Sequence, residues 1–232
     1  MPYLSAVGAC CAMQAGCLYS AAESHMAKSP VKAPKALAPK RPKKRDRLIH
    51  VSTDLFATKG YETTSMQDIA EALGVLKGSL YHYVDSKETI LFQIIQETYQ
   101  LGLENVRSVP DDLEAETRIR LLVDRHLSFL LKNLNASRVL LHEAGALSGD
   151  YRKTVDRQRA EYTSAFRQAI LDGQTAGVFS EALNVDYACN FMLGACNWVY
   201  RWHDHVAVAS GSPLHIQFAD MVVASLTLPS SR

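Results

Sequence analysis

The sequence predicts an all-α protein of about nine helices, and three observations lead to that prediction. Apolar residues recur at three- and four-residue spacing along most of the chain after residue 44, which is the period of one face of an α-helix. No stretch alternates apolar and polar residues as a half-buried strand would, and no hairpin turn joins two such stretches. Glycines and prolines divide the chain into segments of helical length.

Two helices are predicted ahead of a tight turn. The first covers residues 44–59 and ends at Gly60, and its apolar stripe is Leu48, Val51, Leu55 and Phe56. The second covers residues 64–73 because Thr64-x-x-Gln67 has the form of a capping box, in which the hydroxyl accepts an early helical N–H. Gly74 ends this helix, since glycine adopts the left-handed conformation without a Cβ penalty.

A third helix, over residues 77–83, is two turns long and directs mostly polar side chains outward. Leu80 is its clear inward residue. Such a helix suits the recognition helix of a helix-turn-helix domain, because its N-terminal residues can reach base edges while flanking groups hold phosphates. We call this predicted DNA-binding domain, residues 44–90, the reading head. The candidate DNA contacts are Thr63, Thr64, Lys77, Gly78, Ser79, Tyr81, His82, Tyr83 and Lys87. An ordinary helical hairpin within a bundle is the alternative.

Residues 45–91 closely resemble the DNA-binding domain of the TetR family of repressors. The matching positions are Phe56, Gly60, Tyr61, Thr63, Thr64, Ile69, Ala70, Gly74, Val75, Lys77, Gly78, Leu80, Tyr81, Tyr83, Lys87 and Glu88. Two positions depart from the family pattern: Leu76 stands where Ser or Thr usually caps the recognition helix, and Val84 replaces the usual Phe. The resemblance implies a three-helix DNA-binding domain over residues 44–90 in a bacterial, cytoplasmic regulator.

The net charge of +1 is unevenly distributed along the chain. Residues 27–47 contain nine Lys or Arg and one acid, whereas residues 48–232 contain 16 basic and 22 acidic residues. Four prolines in the basic stretch exclude a regular helix, so we expect an extended arm that follows the DNA backbone or enters the minor groove. A tail that only increases solubility is the alternative.

Residues 1–26 are almost uncharged and lack the positive segment of a secretory signal. The spacing of Cys10, Cys11 and Cys17 matches no zinc pattern. We expect residues 1–43 to form a disordered extension, with Met26 as the natural start or with residues 1–25 added by cloning. Five cysteines without framework spacing favour a reducing compartment, and no apolar run approaches the roughly 20 residues of a membrane span.

Six further helices are predicted, the first capped by Asp85-x-x-Glu88 and the rest forming a second domain over residues 91–232. They cover residues 86–107, 111–133, 136–148, 151–175, 184–206 and 213–228. The last two are apolar on more than one face, which indicates a second packing partner. The partner that fits is the same helix pair of another copy. A homodimer would place two reading heads about 34–36 Å apart on a palindromic operator in double-stranded DNA.

Aromatic residues cluster on the predicted eighth helix, where Asn197, Trp198, Arg201 and Trp202 are followed by Gly211-Ser212-Pro213-Leu214. This pattern resembles a TetR subgroup that controls fatty-acid, sterol-ring and related acyl-CoA degradation, although His203-Asp204-His205 replaces the subgroup's usual Tyr and Arg-Pro. The resemblance implies an acyl-CoA effector in a pocket formed by helices five to eight. The candidate ligand-binding residues are Phe129, Tyr162, Phe166, Phe191, Asn197, Trp198, Arg201 and Trp202. Core and dimer packing by the aromatic residues is the alternative, and Arg201 could pair with Asp204.

The sequence therefore predicts a TetR-type repressor that binds its operator as a dimer and is released by a small-molecule effector, an acyl-CoA or related catabolite. A repressor of an efflux pump with a drug-like effector and a ligand-independent architectural DNA-binding dimer are the alternatives. No catalytic, metal or cofactor motif has a supporting context, so we expect neither an enzyme nor a resident cofactor.

Overall fold

The protein is described by a computed structural model that covers residues 44–202 and 213–227. Within these residues every regular element is helical, which confirms the all-α prediction. The predicted extension at residues 1–43 and the His203-Asp204-His205 segment lie outside the described residues.

Nine α-helices are described in these two ranges, with a 3₁₀ turn after the sixth (Ala144–Ala146) and another after the eighth (Val199–Arg201). The helices are α1 (Lys44–Lys59), α2 (Met66–Leu73), α3 (Lys77–Leu80), α4 (Lys87–Arg107), α5 (Ala115–Lys132), α6 (Leu134–Glu143), α7 (Gly149–Thr175), α8 (Val185–Trp198) and α9 (Leu214–Leu226).

The first three helices and the start of α4 share one hydrophobic core. Phe56, Ile69, Leu80 and Ile90 are each no more than 2% exposed. Burial of one such side chain contributes about 1.5–3 kcal/mol, so Leu80 alone supplies most of the anchoring of the four-residue helix α3. Val84 is also buried, in the place where the family has a larger Phe.

Two helix starts differ from the sequence prediction by one residue. Ser65, rather than Thr64, caps α2, and its side chain and Asp68 form the capping box. The predicted box at Thr64 is wrong because the Thr64 hydroxyl instead donates to the carbonyl of Gly60 at 2.7 Å. Ser86, rather than Asp85, caps α4 by accepting from the N–H of Thr89.

Glycine ends α2 as predicted, because Gly74 has a φ of 68° and its N–H bonds the last carbonyls of the helix. The start of α5 differs from the prediction. Asp111 does not begin that helix, since its carboxylate binds the guanidinium of Arg118, whose side chain is 7% exposed. Asp172 on α7 binds the same guanidinium at 2.7 Å.

Helices α4, α5, α7, α8 and α9 form the second hydrophobic core, with α9 packed along α5 and α4 along α7. Val139 of α6 belongs to the first core. The inner face of α9 carries Ala219, Val222, Val223 and Leu226. Helix α8 ends at Trp198, earlier than predicted, because the chain tightens into the 3₁₀ turn Val199–Arg201. Such a turn is common at a helix C-terminus.

Candidate functional site

The outward surface of α3 and the turn after it is polar and open. Lys77, Gly78 and His82 are exposed, and Tyr81 and Tyr83 are each nearly half exposed. Within residues 44–202 and 213–227, no side-chain hydrogen bond or ion pair engages the functional groups of these residues. The surface is therefore free to bind another molecule through its hydrogen-bonding groups.

Gly78 lies in the first turn of α3, and a Cβ atom added there would meet no atom within 4 Å. The glycine is not required by the packing of the described residues. A position that lacks a side chain and faces open space allows close approach of a partner's backbone or bases.

Three of the candidate DNA contacts lie at the junction of α1, α2 and α4. Thr64 was predicted to contact DNA, but it is only 1% exposed and its hydroxyl donates to the carbonyl of Gly60. Its side chain therefore does not reach the surface. The Thr63 hydroxyl donates to the carbonyl of Lys59. Lys87 donates to the carbonyl of Tyr61 at 2.8 Å, and its ammonium lies 4.2 Å from the centre of the Tyr61 ring. Lys87 therefore holds the α1–α2 turn in place.

The angle between α1 and α2 is fixed by a polar cluster at the surface. The ammonium of Lys59 lies 2.8 Å from Oδ1 of Asp68, and the Ser65 hydroxyl and N–H donate to Oδ2 of the same carboxylate. The bond from Lys59 is the main reason that the pKa of Asp68 lies well below its usual range, and the bonds from Ser65 lower it further. The carboxylate is therefore ionised at neutral pH and keeps the capping box formed.

A cavity of about 500 Å³ lies between α4, α5, α6, α7 and α8. This volume is within the range of small-molecule sites. Its apolar wall is formed by Tyr99, Phe129, Leu130, Leu140, Leu141, Val155, Tyr162 and Leu193. Gly102 on α4 also lines it, and a Cβ there would lie 3.1 Å from the Tyr162 ring and 3.4 Å from that of Phe129. The glycine thus lets α4 approach both aromatic rings.

A buried histidine forms the polar part of this cavity. His126 on α5 lies 2.8 Å through Nδ1 from the Tyr162 hydroxyl and 3.0 Å through Nε2 from Oδ1 of Asn197. Since Oδ1 can only accept, Nε2 carries the proton and Nδ1 accepts from Tyr162. Burial lowers the pKa of His126 to about 4, partly opposed by the bond to Asn197. The imidazole is therefore neutral at physiological pH.

The charged residues of the cavity all lie on α7, at its exposed edge. Arg152 pairs with Asp156 through Nε at 2.9 Å. Arg159 makes no ion pair and no side-chain hydrogen bond within the described residues, so its guanidinium can bind an anion. These residues were not among the ligand-binding residues predicted from the sequence, because Arg and Lys on a long helix are typical of a solvated face. Arg152, Asp156 and Arg159 are four and three residues apart, so they share one face of α7 with the cavity-lining Val155 and Tyr162. This spacing could have indicated that they face the cavity.

The candidate ligand-binding residues divide into two groups. Phe129, Tyr162 and Asn197 line the cavity. The other five do not line it, and they are Phe166, Phe191, Trp198, Arg201 and Trp202.

Each of the five has a different environment. Phe166 is fully buried and packs behind Tyr162 and His126. Phe191 and Trp198 are 63% and 56% exposed, so the expectation that they line the pocket is wrong: the outer face of α8 points away from the cavity. The Arg201 guanidinium lies 5.4 Å from the Trp198 ring centre and borders a separate cavity beside α1 and α6. Trp202 stacks on Phe218 of α9.

Helix α6 contacts both the cavity and the reading head. Ser137, Leu140 and Leu141 line the cavity. On the side facing α1, the Asn135 amide donates to Asp54 at 2.8 Å. Glu143, at the end of the same helix, accepts from the N–H of Tyr61 at 3.3 Å. A shift of α6 would therefore displace α1.

The outer faces of α8 and α9 expose large apolar side chains. These are Tyr187, Phe191 and Trp198 on α8, and Ile216 and Met221 on α9. The α8 residues lie four and seven positions apart and so share one face. Among the described residues, no helix is long and apolar enough to cross a membrane, and no group of three or more His, Cys, Asp or Glu is arranged to hold a metal ion.

Comparisons with known proteins agree with this architecture. The family model described as bacterial regulatory proteins of the tetR family matches residues 48–94, and the model of the tetracyclin repressor-like C-terminal domain matches residues 112–226.

Similar proteins include the HTH-type transcriptional repressor KstR2 of Rhodococcus jostii, which is 24% identical over 80% of this chain and 92% of that protein. The fatty acid metabolism regulator protein of Bacillus subtilis is 24% identical over 67% of this chain and 80% of its own length. The crystal structure of AibR in complex with isovaleryl coenzyme A and operator DNA has a TM-score of 0.69 and 26% identity, covering 81% of this chain and all of that one.

These matches confirm the resemblance seen at residues 45–91, and they extend it into the helices that surround the cavity. The chain belongs to the TetR family of bacterial transcriptional regulators.

Proposed function

We propose that the protein is a dimeric repressor that binds a palindromic operator and is released when an acyl coenzyme A, or a related amphipathic catabolite, enters the α4–α8 cavity. The observation that carries this proposal is the cavity itself, which combines an apolar wall with Arg159 at its exposed edge and contacts the reading head through α6.

DNA recognition is assigned to the open surface of α3. Lys77 and the backbone at Gly78 approach base edges in the major groove, and Tyr81 and His82 contact phosphates. Their exposure, and their lack of engagement with other described residues, support this assignment. Lys87 retains one N–H for a phosphate after its bonds to the α1–α2 turn.

Dimerisation is assigned to the outer faces of α8 and α9. Monomeric proteins rarely expose several large apolar side chains on one contiguous face. Tyr187, Phe191 and Trp198 on the α8 face are each more than half exposed in the single chain. Pairing of these faces across a two-fold axis would bury them and present two reading heads to one operator.

The effector class follows from the two chemistries of the cavity. An aliphatic or ring-shaped body fits the apolar wall, and a phosphate or other anion fits the guanidinium of Arg159. A smaller polar groove between α7 and α8 shares Asp156, Arg159, Thr163 and Asn190 with the cavity and adds Arg167, which is ion-paired with Asp186. The phosphate-rich part of coenzyme A can lie along that groove while the acyl part occupies the cavity. The solved complex of AibR with isovaleryl coenzyme A supports this class.

Release from DNA requires that the effector prefer one arrangement of the heads. Filling the cavity would press on α4 and α6, which line it through Gly102 and Leu140. The Asn135–Asp54 and Glu143–Tyr61 bonds then transmit the shift of α6 to α1. The ligand-bound dimer would hold its heads at a spacing that the operator cannot match.

The DNA-binding part is tested by selecting operators from random duplexes and then measuring the affinity of two variants. Lys77→Ala should relax sequence choice, because it removes a base-edge contact. Tyr81→Phe should weaken binding to selected and random DNA alike, because it removes a phosphate contact. An equal effect of Lys77→Ala on both kinds of DNA would contradict the assignment.

The effector part is tested by native mass spectrometry of the purified protein, followed by denaturing analysis of any bound small molecule. The proposal predicts a dimer that carries a coenzyme A thioester or accepts one on addition. A dimer that neither carries nor binds such a thioester would overturn the effector class and leave the DNA-binding assignment standing.

A further inference from the structure

Ser137 on α6 is a buried residue with an unused hydroxyl. It is 4% exposed and lines the cavity between α4 and α8. Its hydroxyl makes no side-chain hydrogen bond with any residue in the ranges 44–202 and 213–227. Among the described residues, the fully enclosed side-chain atoms without a partner are Ser52 Oγ, Gln93 Oε1 and Gln158 Oε1. The Ser137 hydroxyl is therefore accessible from the cavity, where a molecule that enters can bond it.

Asn197 on α8 offers a second donor in the same cavity. Its Oδ1 accepts from Nε2 of His126 at 3.0 Å, which fixes the orientation of the amide. The Nδ2 group therefore faces away from the imidazole, and no acceptor within the described residues bonds it. The Tyr162 hydroxyl completes the arrangement by donating to the other imidazole nitrogen.

This part of the cavity is neutral. The charged lining residues among those described are Arg152, Asp156 and Arg159, which are all exposed on α7. Burial keeps His126 uncharged by lowering its pKa to about 4. An ionised group placed beside Ser137 and Asn197 would lose its hydration without gaining an opposite charge.

The neutral donors lie away from the outer polar groove between α7 and α8. Asn190 lines both the cavity and the outer polar groove, whereas Asn197 lines the cavity alone. Asn197 is seven residues further along α8, which is roughly 10 Å at the rise of an α-helix.

We propose that the effector carries a neutral hydrogen-bond-accepting oxygen in the part of the cavity that lies roughly 10 Å along α8 from Asn190, where Ser137 and Asn197 bind it, so that the cavity selects oxygen-bearing ligands over plain alkyl chains. The inference rests on the proposed function, since it assigns a specificity determinant to the same cavity. The oxygen is either the carbonyl of a thioester or a keto or hydroxyl oxygen in the acyl body. Both are uncharged acceptors that fit two N–H or O–H donors.

The test measures, by isothermal titration calorimetry, the binding of three probes to the full-length protein. The probes are decanoyl coenzyme A, its thioether analogue decyl coenzyme A, and decanoyl coenzyme A with an added ketone in the chain. If the thioester oxygen is recognised, the thioether should bind roughly tenfold more weakly than decanoyl coenzyme A. If a chain oxygen is recognised, the ketone should bind roughly tenfold more tightly.

Two variants assign the effect to the named residues. Ser137→Ala removes a hydroxyl that makes no bond within the described protein, so folding is preserved, and Asn197→Leu removes the second donor. In each variant the affinity difference between the oxygen-bearing probe and its counterpart should shrink. Ser164→Ala, at an exposed position on α7 outside the cavity lining, is the matched control and should keep the full difference.

The outcomes separate this inference from the function on which it rests. Equal affinity of the three probes for the unmodified protein would overturn the oxygen-selective site and leave the acyl coenzyme A proposal standing. An unchanged difference in both Ser137→Ala and Asn197→Leu would also overturn it. Binding of none of the probes would overturn both proposals.

Discussion

Replacing His126 by Gln tests the neutral, buried state of the histidine beside the cavity. The glutamine amide can donate to Asn197 and accept from Tyr162, but it does not titrate. In the folded protein the pKa of His126 is lowered to about 4 by burial, whereas a histidine in the unfolded chain titrates near 6.5. Between these values the unfolded chain binds a proton that the folded chain does not, so the free energy of unfolding falls as the pH falls.

The size of this effect follows from the two pKa values. The stabilisation is fully present above about pH 6.5 and is lost progressively down to about pH 4. Between pH 7 and pH 5 the protein should lose about 2 kcal/mol that the His126→Gln variant does not lose. Titrations of other groups cancel in the comparison of the two proteins.

Urea denaturation at pH 7 and pH 5, at one fixed protein concentration, measures this difference directly. His82→Gln controls for the loss of an imidazole, because that exposed side chain lies on the α3 surface and not in the cavity. Parallel pH dependence of the His126→Gln variant and the unmodified protein, within about 0.5 kcal/mol, would refute a neutral, buried His126.

Three further replacements have defined outcomes. Gly78→Ala should weaken operator binding roughly tenfold in a fluorescence anisotropy assay, because the methyl group occupies the space left for DNA; unchanged affinity would contradict close approach at α3. Gly173→Ala should lower the free energy of unfolding by about 1–3 kcal/mol in urea, since the new Cβ would overlap the buried ring of Phe179. Phe191→Asp should convert a dimer to monomers in size-exclusion chromatography, whereas Leu101→Asp, another exposed apolar position on α4, should not; a stable Phe191→Asp dimer would place the interface elsewhere.

The helices could be predicted from the sequence because local signals determine them. Gly60 and Gly74 both adopt a positive φ, at 90° and 68°, where the sequence placed helix ends. The choice between Thr64 and Ser65 as N-cap could not be predicted in this way. Both residues carry a hydroxyl, and the distinction depends on the bond from Thr64 back to Gly60.

The cavity was only partly predictable, because its two faces carry misleading residue types. Arg152 and Arg159 are residue types that usually lie on a solvated helix face, but the packing of α7 against α8 places them at the edge of the cavity. Phe191 and Trp198 are residue types that often form the wall of an apolar pocket, yet they lie on the outer face of α8. The type of a side chain determines how hydrophobic it is, but whether it points into a cavity or outward depends on how the neighbouring helices pack.

The buried Arg118 illustrates the same limit for a charged residue. Arginine is rarely fully buried unless its charge is paired, and here Asp111 and Asp172 both bind its guanidinium. Asp111 is seven residues away, and Asp172 belongs to α7. Only the packing of α5 against α7 brings the second carboxylate into contact.

In the proposed function, a ligand in the α4–α8 cavity releases the reading heads from DNA. The most direct measurement is the affinity of the protein for one selected operator duplex, by fluorescence anisotropy, with and without saturating decanoyl coenzyme A. Unmodified protein should lose at least about tenfold in affinity, a typical allosteric coupling, and Arg159→Gln should require a higher thioester concentration for the same loss. The exposed Arg157→Gln, on the same helix but outside the cavity lining, should behave as the unmodified protein does. Operator affinity that stays constant while the thioester is bound would contradict the account.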